Sequence, residues 1–297
     1  MIKTSKLMIS YVRVYIIAGL ILLSFNAESQ NYRLDKAWET EPVFSTPESA
    51  VFDAKRDQIY ISNYNTFPRD LESADDFISV LDLEGNILKL KWITGLKAPT
   101  GITIHDDQLY VVERDGIGKY KIESGEFVEK IIITSPGFLN DITIDHDGVI
   151  YFTDTSPRKP EASAVFAFRD GSVDTIASDP VNRSNGLLYD RRSLLVGNSG
   201  DQSLKKIDLE TNEVVNIARL DTGIIDGIKH YKNEYYIVTL WEGRIYLINP
   251  GGIVKELLDV RSSNIKTADI EFIPELNLIV IPTFDYNRVI AYRIKEY

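Results

Sequence analysis

The 297-residue sequence has no cysteine, only three histidines and no run of basic residues. Each absence removes a class of chemistry. Without thiols there are no disulfides, iron–sulfur clusters, thiolate zinc sites or cysteine nucleophiles. The histidines are not paired at ligand spacing, which argues against a histidine-built metal centre. With 33 basic against 44 acidic residues the net charge is −11, so nucleic acid and anionic membrane surfaces are poor partners. Segments of helical period are almost absent after residue 41. What remains is a chain 44% hydrophobic and 10% aromatic, rich enough in apolar residues to bury a sizeable core.

The first 29 residues stand apart. Lys3, Lys6 and Arg13 precede an apolar run from Val14 to Phe25, and Ala27-Glu28-Ser29 places small residues where a signal peptidase reads them. The run is well short of the roughly 20 apolar residues a spanning helix needs. The pattern predicts a signal peptide over 1–29, with cleavage and no stable membrane insertion afterwards, followed by one domain over 30–297. Export to the periplasm or the extracellular space is the expected localisation. In an exported chain without cysteine, packing alone must supply stability.

The remainder alternates short apolar strands with Gly, Asn and Asp turns, the signature of an all-β chain. Aligning the strands exposes a repeat. Its copies open at Pro47, Pro99, Leu139, Ser184, Ile225 and Thr267, at intervals of 52, 40, 45, 41 and 42 residues, near the length of a four-stranded propeller blade. Six copies predict a six-bladed β-propeller. The last copy ends after its third strand, so Tyr32 to Thr40 is expected to supply the outer strand that closes the ring and removes the sheet edges.

In a propeller the first strand of each blade lines the central channel. The repeat therefore gathers Glu48, Thr100, Asn140, Asn185, Asp226 and Ala268 around one mouth. The ends of the second strands, Asn63, Glu113, Asp154, Asn198, Trp241 and Thr283, are expected at the same face. Two carboxylates and two carboxamides converging there need a cation or ordered water to satisfy them. An all-oxygen set suits a hard cation: calcium first, because it accepts irregular coordination, with magnesium or manganese second.

Four segments carry a resemblance. Glu48 in Pro-Glu-Ser-Ala-Val-Phe-Asp, Asn140 in Leu-Asn-Asp-Ile-Thr-Ile-Asp, Asn185 in Ser-Asn-Gly-Leu-Leu-Tyr-Asp and Asp226 in Asp-Gly-Ile resemble the signature positions of the SMP-30/gluconolactonase/luciferin-regenerating-enzyme-like family, over about residues 41–297. The resemblance implies that Glu48, Asn185 and Asp226 hold one divalent cation, that Asn140 contacts substrate or metal-bound water, and that Asp226 also serves as general base. The chain departs from the pattern at two places. Sugar-lactone members carry arginine two residues before the substrate asparagine, where this chain has Phe138. The related paraoxonases carry a catalytic histidine in the second blade, where this chain has Thr100. Both residues are candidate substrate contacts.

Other motifs carry less. Asp145-His146-Asp147-Gly148 opens like a calcium loop but lacks the glutamate at the twelfth position, and reads as a hairpin turn. Gly197-Asn198-Ser199-Gly200 is followed by Asp201 and no helix, so it is no nucleophile elbow. Two loops, Tyr64 to Asp76 and Thr155 to Ala162, exceed their counterparts and could roof the mouth. Together these features predict a metal-dependent hydrolase acting on a lactone or similar small-molecule ester. The alternatives are a non-enzymatic propeller that binds a ligand or protein at the mouth, and a lyase or synthase of the strictosidine-synthase-like type.

Overall fold

In the computed structural model the alternating segments form twenty-four strands among the described residues, which are 31–64, 75–134 and 137–297. The proposed signal peptide and most of the loop from Tyr64 to Asp76 lie outside them. Strand β1 is Tyr32–Glu39. Blade 1 holds β2 (Pro47–Asp53), β3 (Gln58–Asn63), β4 (Asp76–Leu81) and β5 (Ile87–Leu96), and blade 2 holds β6 (Ile102–His105), β7 (Gln108–Glu113), β8 (Gly116–Lys121) and β9 (Phe127–Ile132). Blade 3 follows with β10 (Leu139–Ile144), β11 (Ile150–Asp154), β12 (Ala164–Arg169) and β13 (Ser172–Ala177). Blade 4 is β14 (Ser184–Asp190), β15 (Ser193–Asn198), β16 (Ser203–Asp208) and β17 (Val214–Arg219). Blade 5 is β18 (Ile225–Tyr231), β19 (Tyr235–Leu240), β20 (Arg244–Ile248) and β21 (Val254–Asp259). Blade 6 has β22 (Glu271–Ile273), β23 (Leu278–Pro282) and β24 (Val289–Glu296), and takes β1 as its fourth strand.

Every blade is an antiparallel four-stranded sheet, and the first strands touch in turn from β2 through β6, β10, β14, β18 and β22 back to β2. This is a six-bladed β-propeller. The ring closes as the repeat predicts, with β1 antiparallel to β24 from Tyr32 opposite Glu296 to Glu39 opposite Ile290. The outermost strand of the last blade thus comes from the other end of the described chain, and parting the two breaks the whole β1–β24 pairing.

The hydrophobic core is divided into six clusters, one between each pair of adjacent blades. Blades 1 and 2, for example, meet through Tyr60, Ile78 and Leu96 against Ile102, Leu109 and Tyr120, and blades 6 and 1 through Val280 and Ala291 against Ile59 and Leu81. Alternation explains this arrangement. Successive side chains in a strand point to opposite sheet faces, so a wholly apolar strand such as Leu109–Val112 feeds two interfaces at once. Channel-facing polar residues are left to the starts of the first strands. Among the described residues no helix is long and apolar enough to cross a membrane.

Candidate metal and substrate site

The site is built from β-bulges. In blade 1 Pro47 pairs with Asn63 but Ala50 with Ile61, so one extra residue is inserted between them. Blades 3, 4 and 5 repeat the irregularity between Leu139 and Ile142, Ser184 and Leu187, and Ile225 and Ile228. Glu48, Asn140, Asn185 and Asp226 each occupy one of these four bulges. A bulge bends its strand and re-aims the side chain, which is how residues at one repeat phase come to share a channel mouth. Blades 2 and 6 differ: their first strands begin at Ile102 and Glu271, after Thr100 and Ala268.

Hydroxyl groups hold the bulges open. The Ser49 amide donates to Ser62 Oγ at 2.9 Å, the Asp141 amide to Thr153 Oγ1 at 3.0 Å and the Gly227 amide to Thr239 Oγ1 at 2.7 Å. Thr153 Oγ1 then donates to the Asn185 carbonyl at 2.8 Å, and Thr239 Oγ1 to the Ala268 carbonyl at 3.0 Å. Each of these two threonines therefore satisfies the bulge of its own blade and fixes the ring backbone of the next. Sequence reasoning missed these positioning residues. Their signal is a hydroxyl one residue before the end of the second strand in blades 1, 3 and 5, with Gly197 at that place in blade 4.

Two glycines let the blades approach. A Cβ on Gly186 would overlap the Asp226 carbonyl oxygen, and one on Gly227 would lie 2.5 Å from the Ile270 amide nitrogen. The Gly186→Ala variant should accordingly push blade 5 outward and displace Asp226, lowering stability by about 1–3 kcal/mol as overpacking does. Urea unfolding checks this. A variant as stable as the wild type would show that the contact is not tight.

The gathered side chains are almost wholly buried: Glu48 is 8% exposed, Asn185 and Asn140 5% and Asp226 2%. Two of their oxygens, Glu48 Oε2 and Asn185 Oδ1, have no hydrogen-bond partner. Asn140 donates through Nδ2 to Thr155 Oγ1 at 3.1 Å, and Thr155 Oγ1 donates onward to the Ser184 carbonyl at 2.7 Å. The long third-blade loop thus starts in contact with Asn140. Thr100 is buried, with its hydroxyl directed to the Leu139 carbonyl at 3.3 Å. Phe138 is half-buried, its amide held by Asp154 Oδ1 at 2.8 Å.

The electrostatics are one-sided. Burial, then the charges of Asp226, Asp269 and Asp141, push the Glu48 carboxyl well above the usual carboxylate range. Burial also raises Asp226 well above that range, aided by Asp269, Asp141 and Glu242 and opposed by a hydrogen bond from Asn185. Asp141 and Asp269 are also raised, chiefly by burial. Deeper in the channel stands Lys229. Burial pulls its pKa down, but Glu271, Asp269 and Asp141 outweigh burial and keep the ammonium charged. One lysine does not balance these six carboxyl groups. A buried charge left unpaired is expensive, and the two partnerless oxygens lie where that negative charge concentrates.

The donor set fits a hard cation. It is all oxygen, two members are carboxyl groups, and two oxygens lack any other partner. Among the described residues no three histidine, cysteine, aspartate or glutamate side chains form a ligand group, so a cation here would depend on the oxygen of Asn185 beside the carboxylates of Glu48 and Asp226.

The second-strand ends do different work. Asn63, Glu113 and Asn198 accept the backbone amides of Ser45, Lys97 and Asn182, and Asp154 accepts those of Gly137 and Phe138. In blade 5, whose second strand ends at Leu240 and not at Trp241, the acceptor stands two residues past the strand end, with Glu242 accepting from Ile224. These side chains latch each incoming loop to its blade and leave the mouth to the bulge residues. The Asp145 turn is as expected, its Oδ1 accepting the amides of Asp147 and Val149.

Solved structures share this architecture. A gluconolactonase from Xanthomonas campestris matches at 14% identity over 89% of this chain and 90% of its own, with a TM-score of 0.69. Virginiamycin B lyase from Staphylococcus aureus, in a form inactivated by replacing one histidine with alanine, matches at 13% identity over 89% and 99%, with a TM-score of 0.62. A chain of the nidogen/laminin complex matches at 15% identity over 74% and 82%, with a TM-score of 0.59. At these identities the likeness shows the fold alone. Comparison with curated proteins gives no match. The SMP-30/Gluconolactonase/LRE-like region model matches residues 46–268, which span the four bulges and most of the ring, and the chain therefore belongs to the SMP-30/gluconolactonase/LRE-like family.

Proposed function

We propose that this protein is an exported, divalent-cation-dependent hydrolase of a lactone or similar ester, with calcium as the first candidate and magnesium or manganese as alternatives. The observation that carries the reading is the pair of partnerless buried oxygens, Glu48 Oε2 and Asn185 Oδ1, beside Asp226 at one channel mouth. Glu48, Asn185 and Asp226 would hold the cation. Once bound, it would supply positive charge that keeps Glu48 and Asp226 ionised and polarises an ester carbonyl.

The chain's own groups divide the remaining tasks. Asp226, oriented by the Asn185 amide, accepts the proton of the attacking water. Asn140, with one amide hydrogen fixed on Thr155, presents the rest of its carboxamide to the substrate. The Thr153 and Thr239 hydroxyls keep the bulges from relaxing, so these groups need little reorganisation during the reaction. Turnover of a lactone panel with and without chelator tests the reading. Binding of small molecules without turnover in the presence of metal would favour the non-enzymatic alternative.

A lyase reading finds less support. The lyase relative is inactivated by loss of one histidine, whereas His105, His146 and His230 here lie toward the far ends of the first strands, against Asp106, Tyr189 and Tyr236. That is the channel end opposite the bulges.

Substrate preference should follow Phe138. Phenylalanine offers no donor to sugar hydroxyls, and each hydroxyl desolvated without a partner costs about 1–3 kcal/mol. Gluconolactone should therefore be a poorer substrate than an alkyl-substituted lactone, and Phe138→Arg should narrow the difference. The measurement is kcat/KM for both substrates. A wild type that prefers gluconolactone, or an unchanged ratio in the variant, removes Phe138 from specificity.

A further inference from the structure

The mouth is polar on five blades and apolar on the sixth. Blades 1 to 5 contribute Glu48, Thr100, Asn140, Asn185 and Asp226, but blade 6 contributes Ala268, which is fully buried. The neighbouring Thr267 turns its hydroxyl away, to the Leu240 carbonyl at 2.7 Å. Two half-buried aromatic residues, Trp241 and Phe284, meet edge to face with ring centroids 5.4 Å apart, and the Trp241 backbone is bonded to Thr267, the neighbour of Ala268.

Their position is fixed by backbone. The Trp241 amide donates to the Ile224 carbonyl at 2.8 Å, and the Trp241 carbonyl accepts the Thr267 amide at 3.2 Å. Trp241 is therefore clamped between the starts of the inner segments of blades 5 and 6, one residue from Glu242, whose charge reaches Asp226. Phe284 opens a 3-10 turn, Phe284–Tyr286, that packs against β2, the strand carrying Glu48. Lys266 lays its ammonium 4.4 Å from the Trp241 ring centroid and makes no ion pair among the described residues. Phe284 holds a left-handed backbone at φ +51°, which is unfavourable for a bulky residue and persists where surrounding structure enforces it. The two residues are thus anchored by their backbones between the blades that carry Asp226 and Glu48.

We infer that Trp241 and Phe284 form a preorganised subsite, over the apolar gap at Ala268, for an aryl or alkyl substituent on the lactone ring. The inference rests on the hydrolase reading and specifies its substrate class. An amphipathic mouth orients its ligand: the ester group turns to the polar arc, and the apolar substituent turns to blade 6. A rigid aromatic surface loses little entropy on binding, and its large apolar area favours a matching substituent.

The test uses lactams, which imitate the lactone ring and resist hydrolysis. With calcium present, binding of caprolactam and of a phenyl-substituted caprolactam is followed by calorimetry in the wild type, Trp241→Ala and Phe284→Gly. Glycine suits the left-handed backbone, so the second variant should keep its melting temperature even if the first does not. The wild type should bind the phenyl lactam at least about tenfold more tightly than the parent. Both variants should lose most of that ratio while binding the parent lactam as before. An unchanged ratio in Phe284→Gly, or no preference in the wild type, overturns the subsite. Lactone turnover with that outcome leaves the hydrolase reading standing, whereas absence of turnover on every lactone removes that reading separately.

Discussion

Adding calcium to the metal-free protein should raise its melting temperature by roughly 5–10 °C, the shift expected when about 2.7 kcal/mol of binding free energy is added at 100 times the dissociation constant. The source of the effect is the uncompensated charge at the mouth, where burial raises the cost of ionising both Glu48 and Asp226, Asp226 adds to that of Glu48, and both face Asp269 and Asp141. The pH dependence has a definite sign. Both carboxyls are raised in the folded protein, so between the ordinary carboxylate range and their raised folded values the native state binds more protons than the unfolded chain. Stability of the metal-free protein must then fall as pH rises through that window. A cation replaces those protons, so the calcium-induced shift should be larger at pH 8 than at pH 5, and binding should release protons to the buffer. Melting curves at both pH values, with calorimetry in buffers of different ionisation enthalpy, provide the measurement. A melting temperature indifferent to calcium, magnesium and manganese would falsify the metal site, and a larger shift at pH 5 would contradict its electrostatic origin.

The second large effect is catalytic. Asp226→Asn should lower kcat/KM for the best lactone by about 10²–10⁴-fold, the usual worth of a positioned general base. The substitution keeps shape and one coordinating oxygen but cannot accept a proton near neutral pH. The new carboxamide can still receive the Asn185 hydrogen bond, so the blade 5 bulge, fixed by Thr239, should persist and the far-ultraviolet circular dichroism should not change. Cation affinity is expected to weaken because one of two charges is gone. Saturating metal therefore has to be used, so that a loss of turnover reports proton transfer and not vacancy. Retention of wild-type turnover would remove Asp226 from the role of base.

The Gly186→Ala and Phe138→Arg experiments probe different links. The first asks whether blades must touch for the site to exist, and the second whether an apolar side chain near Asn140 sets preference. Phe138 sits two residues before Asn140, and its amide is fixed by Asp154. Its ring can therefore influence substrate without any change in the proposed metal ligands, and the two tests should be independent.

The repeat made the architecture legible. Apolar alternation reports which side of a sheet is buried, and a fixed interval of about forty residues reports that the same unit recurs, so six blades, the closing strand Tyr32–Glu39 and the shared phase of Glu48, Asn140, Asn185 and Asp226 could all be read along the chain. Local pattern also settled the turn at Asp145. Tertiary structure alone decided the rest. The bulges that aim the four side chains arise only when first and second strands pair out of register, and Ser62 acquires its purpose only in that pairing, while Thr153 and Thr239 also need the next blade to bring up a carbonyl. Asp141, Asp269 and Lys229 look like ordinary strand residues in sequence, yet closing the ring places them in one low-dielectric channel with Glu48 and Asp226. Trp241 and Phe284 are separated by forty-three positions and meet only across two blades. Periodicity encodes which residues face inward. How their charges and rings act on one another depends on distances that exist only once the propeller has closed.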